Sequence, residues 1–99
     1  MLHRIKGVYM RAIVSVIGKD KKGIIAKVAT ALYEMDINVE DISQTILQDH
    51  FAMIMVVSLD DTKLSIQEIS KSLDVTGSEN GVEIRIQHES IFNAMHKIG

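Results

Sequence analysis

Residues 11–35 read RAIVSVIGKDKKGIIAKVATALYEM, and the spacing of their apolar side chains changes once, at the polar turn in the middle. The first part, Arg11–Ile17, is apolar on both alternating faces and rich in β-branched residues, which predicts a central strand of a sheet. After the turn Gly18–Gly23, apolar residues recur at helical spacing as far as Met35, which predicts an amphipathic helix. The segment therefore predicts a strand, a glycine-bounded turn and a helix in succession.

The next two segments are predicted to be strands joined by a hairpin. Residues 37–47 mix apolar with polar side chains, which is typical of a strand at the edge of a sheet. Gln48–His50 is the predicted turn. Phe51–Ser58, which reads FAMIMVVS, is again apolar on both faces and predicts a second central strand.

The second half of the chain repeats the order of helix and strand. Ser65 and Glu68 have the spacing of a capping box, so a helix is predicted to begin there and to end before Asn80-Gly81. Val82–His88 alternates apolar with polar residues, which predicts a half-buried strand. A short C-terminal helix is predicted to follow, with Ile91 or Phe92, Met95 and Ile98 on one side.

This order, β-α-β-β-α-β, predicts the α+β ferredoxin-like fold, an antiparallel four-stranded sheet with two helices on one face plus a short C-terminal helix. The first and third strands lie in the middle of such a sheet, and they are the two that are apolar on both sides. Because the helices cover only one face, we expect Ile, Val and Met side chains to be exposed on the other. A second copy of the chain is the simplest cover for them.

The composition limits the class of protein. A chain of 99 residues with 11 Lys and Arg against 13 Asp and Glu has room for one domain and lacks the basic excess of nucleic-acid-binding proteins. There is no cysteine for a thiolate nucleophile and no apolar run near the roughly 20 residues of a membrane span. We predict a cytoplasmic protein, with residues 1–9 as an N-terminal extension and residues 10–99 as a single domain. The sequence leaves open whether the protein starts at Met1 or at Met10.

Enzyme, metal and nucleotide sites find little support in the residue pattern. Gly18 and Gly23 are spaced like P-loop glycines, yet Ile24 and Ile25 follow where Lys and Ser or Thr are required. The four histidines show neither the HxH nor the HExxH spacing of metal ligands. No nucleophile elbow accompanies the serines. Two Phe and two Tyr are too few for base stacking on the sheet.

The junction between the first strand and the first helix remains as a candidate site. The unpaired amides at a helix start and the helix dipole attract a carboxylate, an effect worth about 0.3–1 kcal/mol at an exposed terminus. The alternative is that Asp20 caps the helix and the glycines permit the turn. Residue types alone leave both interpretations open.

Two stretches carry a family resemblance: Val14–Ile25, which reads VSVIGKDKKGII, and Ile37–Ile42, which reads INVEDI. They resemble the ACT domain, a small-molecule-sensing module of amino-acid metabolism. From Met10 to about Lys97 the chain is similar to small stand-alone ACT proteins and to an ACT half of the glycine-cleavage transcriptional regulator. The resemblance implies a βαββαβ fold that dimerises, often into a continuous eight-stranded sheet. It also implies that amino acids or similar effectors bind at the interface, without cofactor and without chemistry.

The resemblance also implies a position for the ligand. Gly23 permits a close approach of the carboxylate to the helix-start amides, and Asp20 is the polar loop position. The amide of Asn38 can both donate and accept, so it could hold the ammonium or the carboxylate of an amino acid. Asp20 with Asn38 near Gly23 would supply both an anion site and an acceptor for the ammonium. Some members carry a histidine before this loop and an asparagine in it, where Gly18 and Asp20 stand here. The predicted ligand-binding residues are Gly18, Asp20, Lys21, Lys22, Gly23, Ile24, Asn38, Val39, Asp41 and Ile42.

The sequence thus predicts a non-enzymatic regulatory homodimer that binds an amino acid or a related small carboxylate. Its signal would pass to a regulated enzyme or a transcription factor. Two alternatives stay open. One is an interaction module in which the ACT fold serves dimerisation without a ligand, and the other is a metal-responsive regulator that uses His50, His88 or His96.

Overall fold

The computed structural model describes residues 10–19 and 22–90. Its elements follow in the order β1 (Arg11–Lys19), α1 (Ile24–Glu34), β2 (Asn38–Leu47), β3 (His50–Ser58), α2 (Ile66–Asn80) and β4 (Val82–His88). The sheet has the strand order β2-β3-β1-β4, and all neighbouring strands are antiparallel. The ferredoxin-like βαββαβ fold is therefore confirmed, with β1 and β3 in the middle and β2 at an edge. The predicted C-terminal helix and N-terminal extension lie outside the described residues.

The hydrophobic core lies between the sheet and the two helices. Alternate residues of β1 and β3 face the helices, because successive side chains of a strand point to opposite faces. They pack against one stripe of each helix, as the helical spacing predicts. The residues with no exposed surface are Ala12, Val14, Val16, Val28, Leu32, Met53, Met55, Val57, Ile69 and Leu73.

The methionines of β3 correct one expectation about the other face of the sheet. Met53 pairs with Val16 and Met55 with Val14, so both lie on the helix side, where they are fully buried. The prediction that methionine is exposed on the face away from the helices, the open face, is wrong for these strands. Exposed isoleucines do lie there, since 54% of Ile17 and 38% of Ile54 remain accessible.

Strand β1 extends two residues beyond its predicted end at Ile17, to Lys19, and two further boundaries differ from the sequence prediction by one residue. His50 belongs to β3, where it pairs with Lys19 and Leu47. Gln48, with φ 60°, already reverses the chain, so the turn does not extend to His50. Likewise α2 includes Asn80, because the left-handed residue that ends the helix is Gly81, with φ 69°. In both cases one residue of positive φ completes the turn by itself.

Candidate functional site

Among the described residues, no side chain caps the start of helix α1. Its N-cap residue is Gly23, which has the left-handed conformation with φ 80° and ψ 4°, and the first turn holds no acidic residue. A Cβ atom added at Gly23 would meet no atom within 4 Å among the described residues other than its two chain neighbours. The first amides of a helix have no partner within the helix, so this start offers donors beside open space. Asp20 lies outside the described residues, and its capping role stays a prediction.

A cavity of about 230 Å³ opens beside this helix start. We name it the notch. Its walls are the exposed Ile25 and Ile46, of which 39% and 53% are accessible, and the buried Phe51. Lys22 contributes the only charged side chain among its described lining residues. The full lining is Lys22, Gly23, Ile24, Ile25, Gln44, Ile46 and Phe51.

Part of the predicted ligand set lies at the notch. Lys22, Gly23 and Ile24 line it, whereas Lys21, like Asp20, falls outside the described residues. Gly18 was expected in the loop but lies within β1, paired with Phe51 and Val82. A Cβ atom there would come within 2.8 Å of Cγ1 of Val82. The close packing of β1 against β4 therefore explains this glycine.

Asn38 lies at the opposite end of the sheet from Gly23. It pairs with Ser58, and Ser58 pairs with Arg11 at the start of β1. Strand β2 is antiparallel to β3 and hence runs in the same direction as β1, so its first residue is far from the loop that follows β1. At about 3.3 Å per residue, the separation along the sheet is roughly 23 Å. A single chain does not bring Asn38 and Gly23 into one crevice, contrary to the sequence expectation.

Asn38 instead helps to line a second cavity of about 270 Å³. We name it the acidic pocket, since Asp36 and Asp61 stand beside Asn38 in it. Tyr33 forms an exposed wall, with 79% of its surface accessible. Asp36 has a positive φ of 59° and directs the chain from α1 into β2. Its full lining is Tyr33, Asp36, Ile37, Asn38 and Asp61.

The other predicted residues of β2 lie between the two cavities. Val39 packs against the core, and a bulge separates it from Asp41. The carboxylate of Asp41 accepts a hydrogen bond of 2.9 Å from the backbone N–H of Ile42. Ile42 is 44% accessible. Neither Asp41 nor Ile42 lines the notch or the acidic pocket.

The sequence reasoning missed the walls of both cavities: Ile25, Gln44, Ile46 and Phe51 of the notch, and Tyr33, Asp36 and Asp61 of the acidic pocket. One signal could have found several of them. Ile25 and Tyr33 are eight residues apart on α1, a spacing that returns to the same stripe of a helix. Ile42, Gln44 and Ile46 alternate on β2 and share its helix-facing side.

The apolar residues among them lie on β2 or share a cavity with a residue of β2. Among the described strands, β2 pairs with β3 alone, so its outer edge has no neighbouring strand. We name the apolar border the β2 edge surface; it consists of Ile25, Tyr33, Ile42 and Ile46, all exposed. A patch of large apolar side chains along an unpaired strand is typical of an interface.

The fold does not bring His50 and His88 together, as a metal site of the proposed metal-responsive regulator would require. His50 pairs with Lys19 at one end of the sheet, while His88 pairs with Ala12 at the other. His96 lies outside the described residues. Within residues 10–19 and 22–90, no three His, Asp or Glu side chains stand close enough to hold a metal ion. In the same ranges, no helix is long and apolar enough to cross a bilayer.

Comparison with known proteins gives a consistent result. A family model of the ACT domain matches residues 11–87. A UPF0237 protein of Clostridium acetobutylicum is 51% identical over 89 residues, which are 90% of this chain and 100% of the relative. The ACT domain protein from Streptococcus pneumoniae has a TM-score of 0.75 at 41% identity, covering 88% of this chain and 98% of its own. A putative glycine cleavage system transcriptional repressor, 16% identical with a TM-score of 0.70 over 83% of this chain and 47% of its own, shares the fold.

Proposed function

This chain belongs to the ACT domain family, whose members are typically regulatory and ligand-binding, and from that premise we propose that it is a non-enzymatic regulatory homodimer. In this proposal an amino acid or a related small carboxylate binds between the two copies. The observation that carries the proposal is the pair of cavities at opposite ends of β2, the notch with its lysine and the acidic pocket with its two aspartates.

The β2 edge surface supports the mode of dimerisation. An edge strand carries unpaired N–H and C=O groups, which a second strand can satisfy. Two β2 strands in antiparallel pairing obey a two-fold axis, as symmetric dimers do. They would join two four-stranded sheets into one of eight strands. The same contact would cover Ile42 and Ile46, which are 44% and 53% accessible in one copy.

The antiparallel pairing has a consequence for the site. It brings the start of β2 from one copy beside the end of β2 from the other. Asn38 begins the strand and lies in the acidic pocket, while Ile46 lies near its end and lines the notch. Each notch would therefore face the acidic pocket of the second copy. The predicted combination of Gly23 with Asn38, which one chain does not form, arises between two chains.

Such a composite site matches the charges of a free amino acid. The carboxylate would accept hydrogen bonds from the uncapped amides at the start of α1, beside the Lys22 ammonium. The ligand ammonium would donate to the carboxylates of Asp36 and Asp61 and to the side-chain oxygen of Asn38. Asp20 and Lys21 of the loop are kept as further ligand contacts in this proposal. Neither cavity alone offers both charges.

Regulation follows from where the ligand binds. A ligand held by both copies favours the paired arrangement, and an effector shifts an equilibrium only through such a difference in affinity. The signal would then reach a regulated enzyme or a transcription factor that distinguishes the two arrangements. We place this activity in the cytoplasm and assign it no catalytic step, no metal and no cofactor.

A mixing experiment tests the composite site directly. Gly23→Val alters only the notch, and the double change Asn38→Ala/Asp61→Lys alters only the acidic pocket. Each variant alone should lose the stabilisation by amino acids seen in thermal-shift and calorimetric titrations of the wild type. After the two variants are unfolded and refolded together, binding should return at about a quarter of the wild-type sites, because half of the dimers are mixed and each carries one intact site of two.

Two results would contradict the proposal. If the proteinogenic amino acids at millimolar concentration leave the wild type unchanged while sedimentation shows a stable dimer, the chain is an interaction module without a ligand. If the mixed sample binds no amino acid although mixed dimers are detected, the notch of one copy and the acidic pocket of the other do not form one site.

A further inference from the structure

We infer that the ligand carries an uncharged aliphatic side chain of about three to four carbons. This inference rests on the proposed function, since it concerns the side chain of the ligand whose carboxylate and ammonium the composite site would hold. The observation behind it is the composition of the notch walls. Ile25, Ile46 and Phe51 present apolar surface to the space beside the helix start.

The walls of the notch disfavour both basic and acidic side chains on the ligand. A basic side chain directed into the notch would be repelled by the Lys22 ammonium and would lie against apolar walls. An acidic side chain would compete with the ligand's own carboxylate for the same lysine and would lie against isoleucine and phenylalanine, where an unpaired charge is costly. Gln44 is the only uncharged polar side chain among those residues.

The apolar walls favour an aliphatic side chain for the same physical reason that they disfavour a charge. Ile25 and Ile46 are 39% and 53% accessible, so contact with a ligand removes further apolar surface from water. The cavity of about 230 Å³ lies below the range of about 300–1,000 Å³ that is typical of drug-sized ligands. The side chains of valine, leucine, isoleucine and methionine are apolar, as the walls require, and small, as the cavity volume requires. The corresponding 2-oxo acids carry the same side chains.

Calorimetric titration of the full chain with single amino acids measures this selectivity. The affinity should rise by roughly fourfold with each methylene from alanine through valine to leucine, in line with the transfer free energy of a buried methylene. Aspartate, lysine and serine should bind at least about tenfold more weakly than leucine.

A matched pair of variants locates the selectivity in the notch. Ile46→Ser should reduce the affinity for leucine by about tenfold while leaving that for alanine within about twofold. Ile17→Ser is the control, because Ile17 has 54% of its surface exposed against 53% for Ile46 but lies on the open face. The control should bind leucine like the wild type. Sedimentation at the same concentration verifies that both variants remain dimers.

The outcomes separate this inference from the proposed function. Tight binding of a charged or small polar amino acid that is lost in Gly23→Val would overturn the aliphatic class and leave the composite site in place. Equal affinity of Ile46→Ser and wild type for leucine would overturn it as well. If no amino acid binds the wild type, the proposed function fails, and the inference fails with it.

Discussion

The two helices of this domain begin in opposite ways. Helix α2 closes its own start: the backbone N–H of Glu68 donates to Oγ of Ser65 at 3.1 Å, and the N–H of Ser65 donates to Oε1 of Glu68 at 2.8 Å. Helix α1 starts at Gly23, which has no side chain to accept such a bond. Both helices bury a leucine completely, Leu32 in α1 and Leu73 in α2. They are thus anchored alike in the core and differ at the first turn.

This difference shows how a binding site can be built at small cost to the fold. Exchanging a good N-cap residue for glycine lowers helix stability by only a few tenths of a kcal/mol, roughly a third of the loss for alanine. The amides of α1 can therefore stay available to an anion while packing keeps the helix in place. At the start of α2 the capping box already engages the N–H groups of Ser65 and Glu68, so fewer donors remain for an anion there.

The largest expected effect tests the shared anchoring. Leu73→Ala and Leu32→Ala should each lower the free energy of unfolding by about 2–5 kcal/mol, since both leave a cavity in a packed core. Urea denaturation measures the loss. Val75→Ala, at a position of α2 that is 56% exposed, is the control and should stay within about 0.5 kcal/mol of the wild type. A loss below about 1 kcal/mol for Leu32→Ala alone would show that α1 is not anchored like α2.

Gly23→Val should have the next largest effect on stability. A β-branched residue at φ 80° costs about 1–2 kcal/mol, and no clash adds to it from the described residues, none of which beyond the two chain neighbours lies within 4 Å of the Cβ position. Gly23→Asn, which tolerates this conformation, should cost less. Thermal unfolding with and without an amino acid measures stability and binding together. Full ligand stabilisation in Gly23→Val would show that the start of α1 is not the site.

Ser65→Ala sharpens the contrast from the other helix. Loss of the cap should cost about 1 kcal/mol and leave ligand affinity unchanged, because neither Ser65 nor Glu68 lines the notch or the acidic pocket. Glu68→Gln is the matched control, since glutamine preserves the capping box. A change in ligand affinity for Ser65→Ala would mean that the two helix starts are coupled.

The smallest expected effect on stability comes from Asp36→Gly. Asp36 has φ 59°, a conformation that favours glycine, so the change should be neutral or stabilise the fold by about 0.5 kcal/mol. Ligand affinity should nevertheless fall, because the acidic pocket loses a carboxylate. Asp36→Asn separates the loss of charge from the change of backbone preference. Lower stability together with unchanged affinity would assign Asp36 to the fold instead of the site.

Most of the fold could be predicted because its signals are local. The two strands that are apolar on both faces, Arg11–Ile17 and Phe51–Ser58, require cover on both sides and therefore lie in the middle of the sheet. The capping box at Ser65 marks the start of α2 through hydrogen bonds within four residues. The predicted boundaries of β3 at His50 and of α2 at Asn80 were wrong by one residue. A turn needs only one residue of positive φ, and several neighbouring residue types tolerate that conformation.

The candidate site was predicted less completely, because its parts are distant in sequence. Gly23 and Lys22 could be found from the loop itself. Gln44 and Phe51 reach the same cavity only through the pairing of β2 with β3 and the packing of α1 above it. Asp61 meets Asp36 because β3 ends beside the start of β2. No periodicity in the sequence reports such a contact.

The sequence by itself determined which segments are strands and helices, which faces are apolar, and that the start of α1 has a glycine where a cap is usual. Local spacing carries that information, since hydrogen bonds and side-chain periods repeat within a few residues. Only the tertiary structure decided that Asn38 lies at the far end of the sheet from Gly23 and that Gly18 belongs to β1, paired with Phe51 and Val82. Both depend on strand direction and register, which the packing of the whole core selects.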